Sequence, residues 1–383
     1  MKLLIVNGHL NIGGVEKSLV TFLNAIDYDK HSVDLLLFEG LGDYKDLIPP
    51  KVNIINYDLK DTYGSVLSVI RRGINQKKLS LIYIKLILTL ANKVSLKALR
   101  LLKMLHIDST DYDCAIAYRV GMSLDYVAYS VNAKMKMVWW HHGEFDYPVD
   151  TVKRWDKCFS RVDKIVCVSK SSRNMLSEHY SHYQNKMIVL PNMISEQEII
   201  EKSKMSQNVI SKDNSLISVG RFSEEKHMLD TIYAMKQLRE LGYINVKWFL
   251  LGDGEERPLA EKLIQEYGLE KNVFLLGNVS NPYPYLKAAD IMVHPSYVES
   301  QGISVLEAMV LHKKIVAVNS MGVSEFVVDG KNAWLCEKNI DALVKKIIQV
   351  WDLELDDNYI SEQNRTISRY SPEQTMIEFE SLL

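Results

Sequence analysis

The chain has 383 residues, 47% of them apolar and 25% charged, with a formal net charge of −2. That balance is ordinary for a folded globular protein and disfavours disordered, collagen-like and coiled-coil readings. At roughly 150 residues per domain the length implies two or three domains. The charge is unevenly spread. Residues 1–190 carry 26 Lys and Arg against 19 Asp and Glu, and the remainder 20 against 29, so the two halves are expected to face different partners. The four cysteines, Cys114, Cys158, Cys167 and Cys336, form no C-x-x-C pair, which disfavours a disulfide framework or a zinc site and favours reduced thiols. The opening residues run directly into a strand-like segment and lack the longer apolar stretch of a signal peptide, so the expected location is cytoplasmic.

In chain order, short β-branched or apolar runs alternate with helix-like stretches. They lie at 2–6, 32–38, 52–56, 114–117, 136–140 and 164–168 in the first half, and at 216–219, 246–251, 273–276, 291–293 and 314–318 in the second. Near-continuous apolar strands between helices indicate parallel sheets covered on both faces. The expected fold is α/β, with two Rossmann-like doubly wound domains. Domain boundaries are expected at 1–191 and 192–365, with 366–383 as a C-terminal helix. Pro191-Asn192 and the polar stretch 195–215 read as a hinge and the entry into the second domain.

Such sheets bind ligands beyond the carboxyl ends of their strands. After the first strand, Gly13-Gly14 precedes a helix whose N-terminal amides suit an anion; a plain turn needing positive φ fits equally well. His141-His142-Gly143 ends another strand-like run, and imidazoles there can donate hydrogen bonds or carry protons. Arg221 and Lys226, five apart across a strand-to-helix turn, suit one diphosphate as a planar fork and a point charge, although Glu224 and Glu225 lie between them. The most specific stretch runs from His294 to Met309. Glu299 falls in its loop, Gly302 and Ile303 near a helix start, and Glu307 two turns further on, so the carboxylates suit sugar hydroxyls and a vicinal diol.

Taken together, the strings Gly220–Lys226, Leu251–Glu255, Val273–Asn278, Ala289–Ser296, Glu299–Glu307 and Gly322–Gly330 resemble the retaining glycosyltransferases of family 4, which have the GT-B fold. The resemblance implies two domains facing across a cleft, a C-terminal helix returning to the first, and a nucleotide-sugar donor held mainly by the second. By that similarity Arg221 and Lys226 clamp the diphosphate. Glu307 accepts from the ribose, Glu299 from the donor sugar, and Gly302 and Ile303 present amides. Gly13 and Gly14 approach the diphosphate from the opposite domain, and His142 reaches the donor sugar or the transferred proton. Cations and a helix terminus would stabilise the leaving diphosphate without a metal or other cofactor. Retention would come from front-face attack, with a covalent intermediate on Glu299 as the less favoured route. Three positions depart from the family pattern: His227 stands where glycine is frequent, Gln301 at an often aromatic position, and Met193 where glycine is common.

Residues 64–106 hold nine Lys and Arg and no acid. On one continuous helical wheel Lys78, Lys85, Lys93, Lys97, Arg100 and Lys103 fall within about 120°. A basic amphipathic helix over 71–103 suits an anionic membrane surface; a solvated face on a packed helix is the equal alternative. The expected activity is therefore transfer of a hexose or N-acetylhexosamine, from a UDP-sugar by preference, to a glycan or lipid-linked acceptor in bacterial surface polysaccharide (capsule or exopolysaccharide) synthesis. The expected location is peripheral on the inner membrane face. No nucleic-acid motif is present. The alternatives are a non-catalytic subunit of the same fold and a nucleotide-sugar epimerase.

Overall fold

The computed structural model describes residues 1–57, 59–105, 111–205 and 214–383, without the side chains of 100 and 102–105. Backbone contacts divide the chain into two units: 1–141 with 145–190 and 376–383, and 142–144 with 191–375.

The first unit is built on a parallel sheet of seven strands: β1 (Lys2–Asn7), β2 (Ser32–Leu37), β3 (Asn53–Asn56), β4 (Tyr112–Ala117), β5 (Ala133–Trp140), β6 (Lys164–Cys167) and β7 (Met187–Val189). Their order is β3-β2-β1-β4-β5-β6-β7, which places β1 at the switch point of a doubly wound sheet. Leu3, Leu4, Ile5 and Val6 are all fully buried, so both faces of β1 are covered, as the unbroken apolar run requires. The second unit has six parallel strands: β8 (Ser215–Val219), β9 (Lys247–Leu251), β10 (Val273–Gly277), β11 (Ile291–His294), β12 (Lys314–Val318) and β13 (Trp334–Cys336). They are ordered β10-β9-β8-β11-β12-β13, the same winding about a central first strand.

The edge strands β7 and β13 were not expected from the sequence; each has only three residues, too few for a periodic signal. The polar stretch after Ser195 is not all linker. A helix occupies Glu196–Ser203, started by the Ser195 hydroxyl, which accepts from the Glu198 amide at 3.4 Å. The rest of that stretch, 206–213, lies outside the described residues.

The C-terminal segment packs on the first unit, but from Met376 rather than 366; the helix Asp357–Ile367 and the turn Ser368–Tyr370 stay with the second. Phe379, fully buried, meets Phe22 edge-on at 4.9 Å and lies 6.2 Å from Trp139, while Glu380 accepts from the His31 ring at 2.8 Å. All four cysteines are buried and unbridged, and burial pushes the thiols of Cys114, Cys167 and Cys336 up to about 12.

The single basic helix over 71–103 is corrected. Between β3 and β4 the chain forms one helix at Val66–Asn75, a second at Leu79–Lys93 and a 3-10 segment at Leu96–Leu105. Lys78 caps the second helix and Val94, at φ −120°, ends it, so Lys97, Arg100 and Lys103 do not continue the wheel of Lys85 and Lys93. The side chains of Arg100 and Lys103 lie outside the described residues. Among the described residues no helix is long and apolar enough to cross a membrane.

Candidate active site

The residues of the second unit singled out from the sequence lie at or just beyond its strand ends. Two glycines let two loops lie against each other there. Gly252 and Gly254 adopt φ 138° and 159°, and a Cβ on them would stand 1.8 Å from the Gly220 carbonyl and 2.2 Å from that of Phe222. Backbone hydrogen bonds lace the same loops: Phe222 donates to Asp253 at 3.0 Å, Gly220 to Leu251 at 2.9 Å and Gly252 to Gly277 at 2.8 Å. The loop carrying Arg221 is thus fixed from below, and Arg221 itself stands exposed and makes no ion pair among the described residues.

Lys226 ends a 3-10 turn, Glu224–Lys226, whose cap is His227 in the left-handed region at φ 49°. That conformation explains the frequent glycine there. Here a histidine occupies it, its ring stacked at 3.5 Å on Tyr297 and its Nδ1 3.3 Å from Asp230.

Lys226 reaches the carboxylate of Glu299, Nζ to Oε1 at 2.9 Å. The same oxygen lies 3.1 Å from Nε2 of His294, a buried side chain at the end of β11 whose Nδ1 faces the Ser304 hydroxyl at 3.3 Å. With Ser304 donating to Nδ1, the proton sits on Nε2 and faces the carboxylate, though off the ideal hydrogen-bond line. The Glu299 side chain is 12% exposed. Burial alone would raise its carboxyl; the Lys226 charge and the His294 imidazole outweigh that and hold it well below the ordinary 4.5.

The Glu299 backbone is gripped on two sides by glycines. A Cβ on Gly143 would lie 2.6 Å from its carbonyl carbon, and one on Gly322 2.6 Å from its carbonyl oxygen, which also accepts from the Gly322 amide at 3.2 Å. Gln301 is buried and clasps the Asn192 backbone in both directions, at 2.7 and 3.0 Å, so an amide here does work an aromatic ring would not. Gly302 then starts the helix Ile303–Val310 at φ 85°, where a Cβ would also strike Val323 at 2.7 Å. The first amides of that helix, from Ile303 and Ser304, have no helical acceptor. Glu307, expected to accept from a vicinal diol, is 3% exposed inside this helix, and the Tyr283 hydroxyl donates to its Oε1 at 3.3 Å.

The structure thus brings Lys226, from the turn after β8, against Glu299, on the loop that leads into Gly302, Ile303 and Glu307. His142 is half-buried and groups with this unit. Gly13 and Gly14 belong to the first unit, before the helix Gly14–Ala25. Gly13 has extended backbone at φ −179°, so the turn needing positive φ is not what occurs. The Glu16 carboxylate fills the place a Gly13 side chain would take, and it lies 3.6 Å from His9 and 3.4 Å from Arg119. Sequence reasoning gave no role to His294, Tyr283 or Glu16. His294 was readable only as the last residue of a strand that ends at a loop carboxylate.

Residues 199–367 match the family model of Glycosyl transferases group 1. That match agrees with the glycosyltransferase reading of the sequence, and it spans Arg221, Lys226, Glu299, Gly302, Ile303 and Glu307. A poly(ribitol-phosphate) alpha-N-acetylglucosaminyltransferase of Staphylococcus aureus is 36% identical over 107 residues, 27% of this chain and 22% of that one. An alpha-monoglucosyldiacylglycerol synthase of Acholeplasma laidlawii is 27% identical over 179 residues, 44% of each chain. The chain thus spans less than half the length of these relatives. Anabaena HepE, solved with UDP and glucose, superposes over the full length of both chains with a TM-score of 0.74 at 20% identity. The fold is therefore the expected GT-B type, two parallel Rossmann-like sheets.

Proposed function

We propose that the protein is a retaining glycosyltransferase of the family 4 kind, moving a hexose or N-acetylhexosamine from a UDP-sugar to a glycan or lipid-linked acceptor in surface polysaccharide assembly. The observation that carries this reading is the Lys226–Glu299–His294 cluster at the strand ends, immediately before a helix N-terminus with free amides. A nucleoside diphosphate needs cations and amide donors, and a sugar ring needs a fixed carboxylate. UDP is favoured because HepE was solved with it, and a surface acceptor because the relatives named above are a poly(ribitol-phosphate) alpha-N-acetylglucosaminyltransferase and an alpha-monoglucosyldiacylglycerol synthase.

In this reading Arg221 and Lys226 hold the diphosphate, Glu307 the ribose, and Glu299 the sugar hydroxyls, with amides from Gly302 and Ile303. Lys226 must then exchange its ground-state partner, Glu299, for a phosphate oxygen, and His294 keeps Glu299 in place while it does so. The bond from the anomeric carbon to the phosphate oxygen breaks. The acceptor oxygen bonds to the same face of that carbon, and its proton passes to the departing phosphate. The two cations take up the charge that develops there, so no resident metal is part of this reading.

The test is release of UDP from UDP-glucose and UDP-N-acetylglucosamine in the presence of a lipid or glycan extract, with Arg221→Ala as control. Acceptor-dependent release that Arg221→Ala reduces supports the reading. Nucleotide binding without turnover on any nucleotide sugar would favour a non-catalytic subunit, and sugar isomerisation without an acceptor an epimerase.

A further inference from the structure

The segment between β3 and β4 presents its outer side unlike the rest of the first unit. Its inward residues, Val69, Leu81, Ile84, Ile87, Ala91 and Leu99, are buried against that unit. Gly73 lets the two helices touch, since a Cβ there would lie 2.7 Å from Ile82. Outward, six large apolar side chains, Leu67, Ile74, Leu79, Leu86, Leu90 and Val94, are 43–80% exposed. On the second helix Leu79, Leu86 and Leu90 fall within about 40° of arc, with Lys93 alongside. On the first, Leu67, Arg71 and Ile74 follow the i, i+4, i+7 spacing of one face. Arg71, Lys77, Lys93 and Lys97 are exposed, and the sequence holds no acid from 64 to 106.

A concentration of exposed apolar side chains on a folded protein marks an interaction surface. We propose that the outer faces of helices Val66–Asn75 and Leu79–Lys93 form a docking surface for an anionic lipid bilayer. The apolar stripes enter the headgroup boundary, and the flanking cations meet lipid phosphates. Charge decides against a second copy of the chain. An isologous contact would set this cation-rich, acid-free face against itself, whereas an anionic bilayer complements it. Neither helix spans a bilayer, so both lie along its surface. This deepens the glycosyltransferase reading, and rests on it, by giving the place where a lipid-linked acceptor is met.

The test is co-sedimentation of the full chain with vesicles of phosphatidylcholine alone and of phosphatidylcholine with one-third phosphatidylglycerol. Binding is expected to the anionic vesicles only, and to weaken as salt is raised. Arg71→Gln with Lys93→Gln should lower the affinity about fivefold per charge removed. Leu86→Ser with Leu90→Ser should lower it on the order of tenfold or more. The substituted side chains are exposed, so the melting temperature should stay unchanged. Equal binding to both vesicle types, no binding to either, or unchanged binding by both double variants overturns the proposal. So does a dimer in sedimentation velocity that Leu86→Ser with Leu90→Ser dissolves. UDP-induced thermal stabilisation, measured on the same samples, separates the two readings. If it persists while vesicle binding fails, only the docking surface falls; if it is absent while vesicles bind, only the donor site falls.

Discussion

Replacing Lys226 by alanine leaves the carboxylate of Glu299 with His294 as its remaining close partner. Removing one partner of a fully buried pair costs about 3–5 kcal/mol, and exposed pairs contribute about 0–1 kcal/mol. The two side chains are 23% and 12% exposed, between those limits, so the expected loss near neutral pH is about 2 kcal/mol. In a unit of this size that lowers the melting temperature by about 4–8 °C. The loss has a defined pH dependence. The folded-state carboxyl of Glu299 is held below its ordinary 4.5, so its contribution is fully present above that value and disappears as pH falls through the folded-state value. In the variant the depressing charge is gone, and this contribution is largely missing at every pH. The gap between wild type and variant should therefore be widest above 4.5 and narrow as the solution is acidified below it. Thermal unfolding followed by circular dichroism at a series of pH values reads this directly. A gap that is absent near neutrality, or that stays constant across the acid range, refutes the assignment of Glu299 as a carboxylate held ionised by Lys226.

Two further perturbations test the packing that positions the site. Phe379→Ala removes a fully buried ring from the C-terminal segment and should cost about 3–5 kcal/mol in the first unit, read as a lowered denaturant midpoint. Gly252→Ala places a Cβ 1.8 Å from the Gly220 carbonyl at φ 138°; it should destabilise the second unit by more than about 1 kcal/mol and weaken nucleotide binding through the displaced Arg221 loop, read by melting temperature and titration.

Most of the architecture was legible because central parallel strands, buried on both faces, are read as apolar runs, and eleven of the thirteen strands among the described residues coincide with a short apolar or β-branched run. Strands β7 and β13 escaped because three residues carry no periodicity. The basic segment shows the opposite failure. A wheel drawn over 71–103 assumed one helix, whereas the chain breaks at Gln76–Lys78 and again at Val94. The E-x7-E spacing pointed to Glu299 and Glu307 but not to their burial, which depends on partners far away in sequence: Lys226 for Glu299 and Tyr283 for Glu307. The roles of His294 and Gln301 were hidden for the same reason. A histidine ending a strand and a glutamine in a loop acquire meaning only when Glu299 and Asn192 are seen beside them. The glycines behaved unevenly. Gly252, Gly254 and Gly322 are required by backbone approaches shorter than 3 Å, while Gly13 and Gly14 adopt ordinary backbone, and the feature beside them is a carboxylate.

The central claim is that the second unit holds a nucleoside diphosphate on Arg221, Lys226 and the Ile303 helix terminus. Calorimetric titration of UDP into the wild-type protein and into Lys226→Ala tests it most directly. The expected result is saturable binding by the wild type, weakened on the order of tenfold or more in the variant through loss of a charge-assisted hydrogen bond. No binding of UDP, GDP or dTDP, or equal affinity in the two proteins, would contradict it.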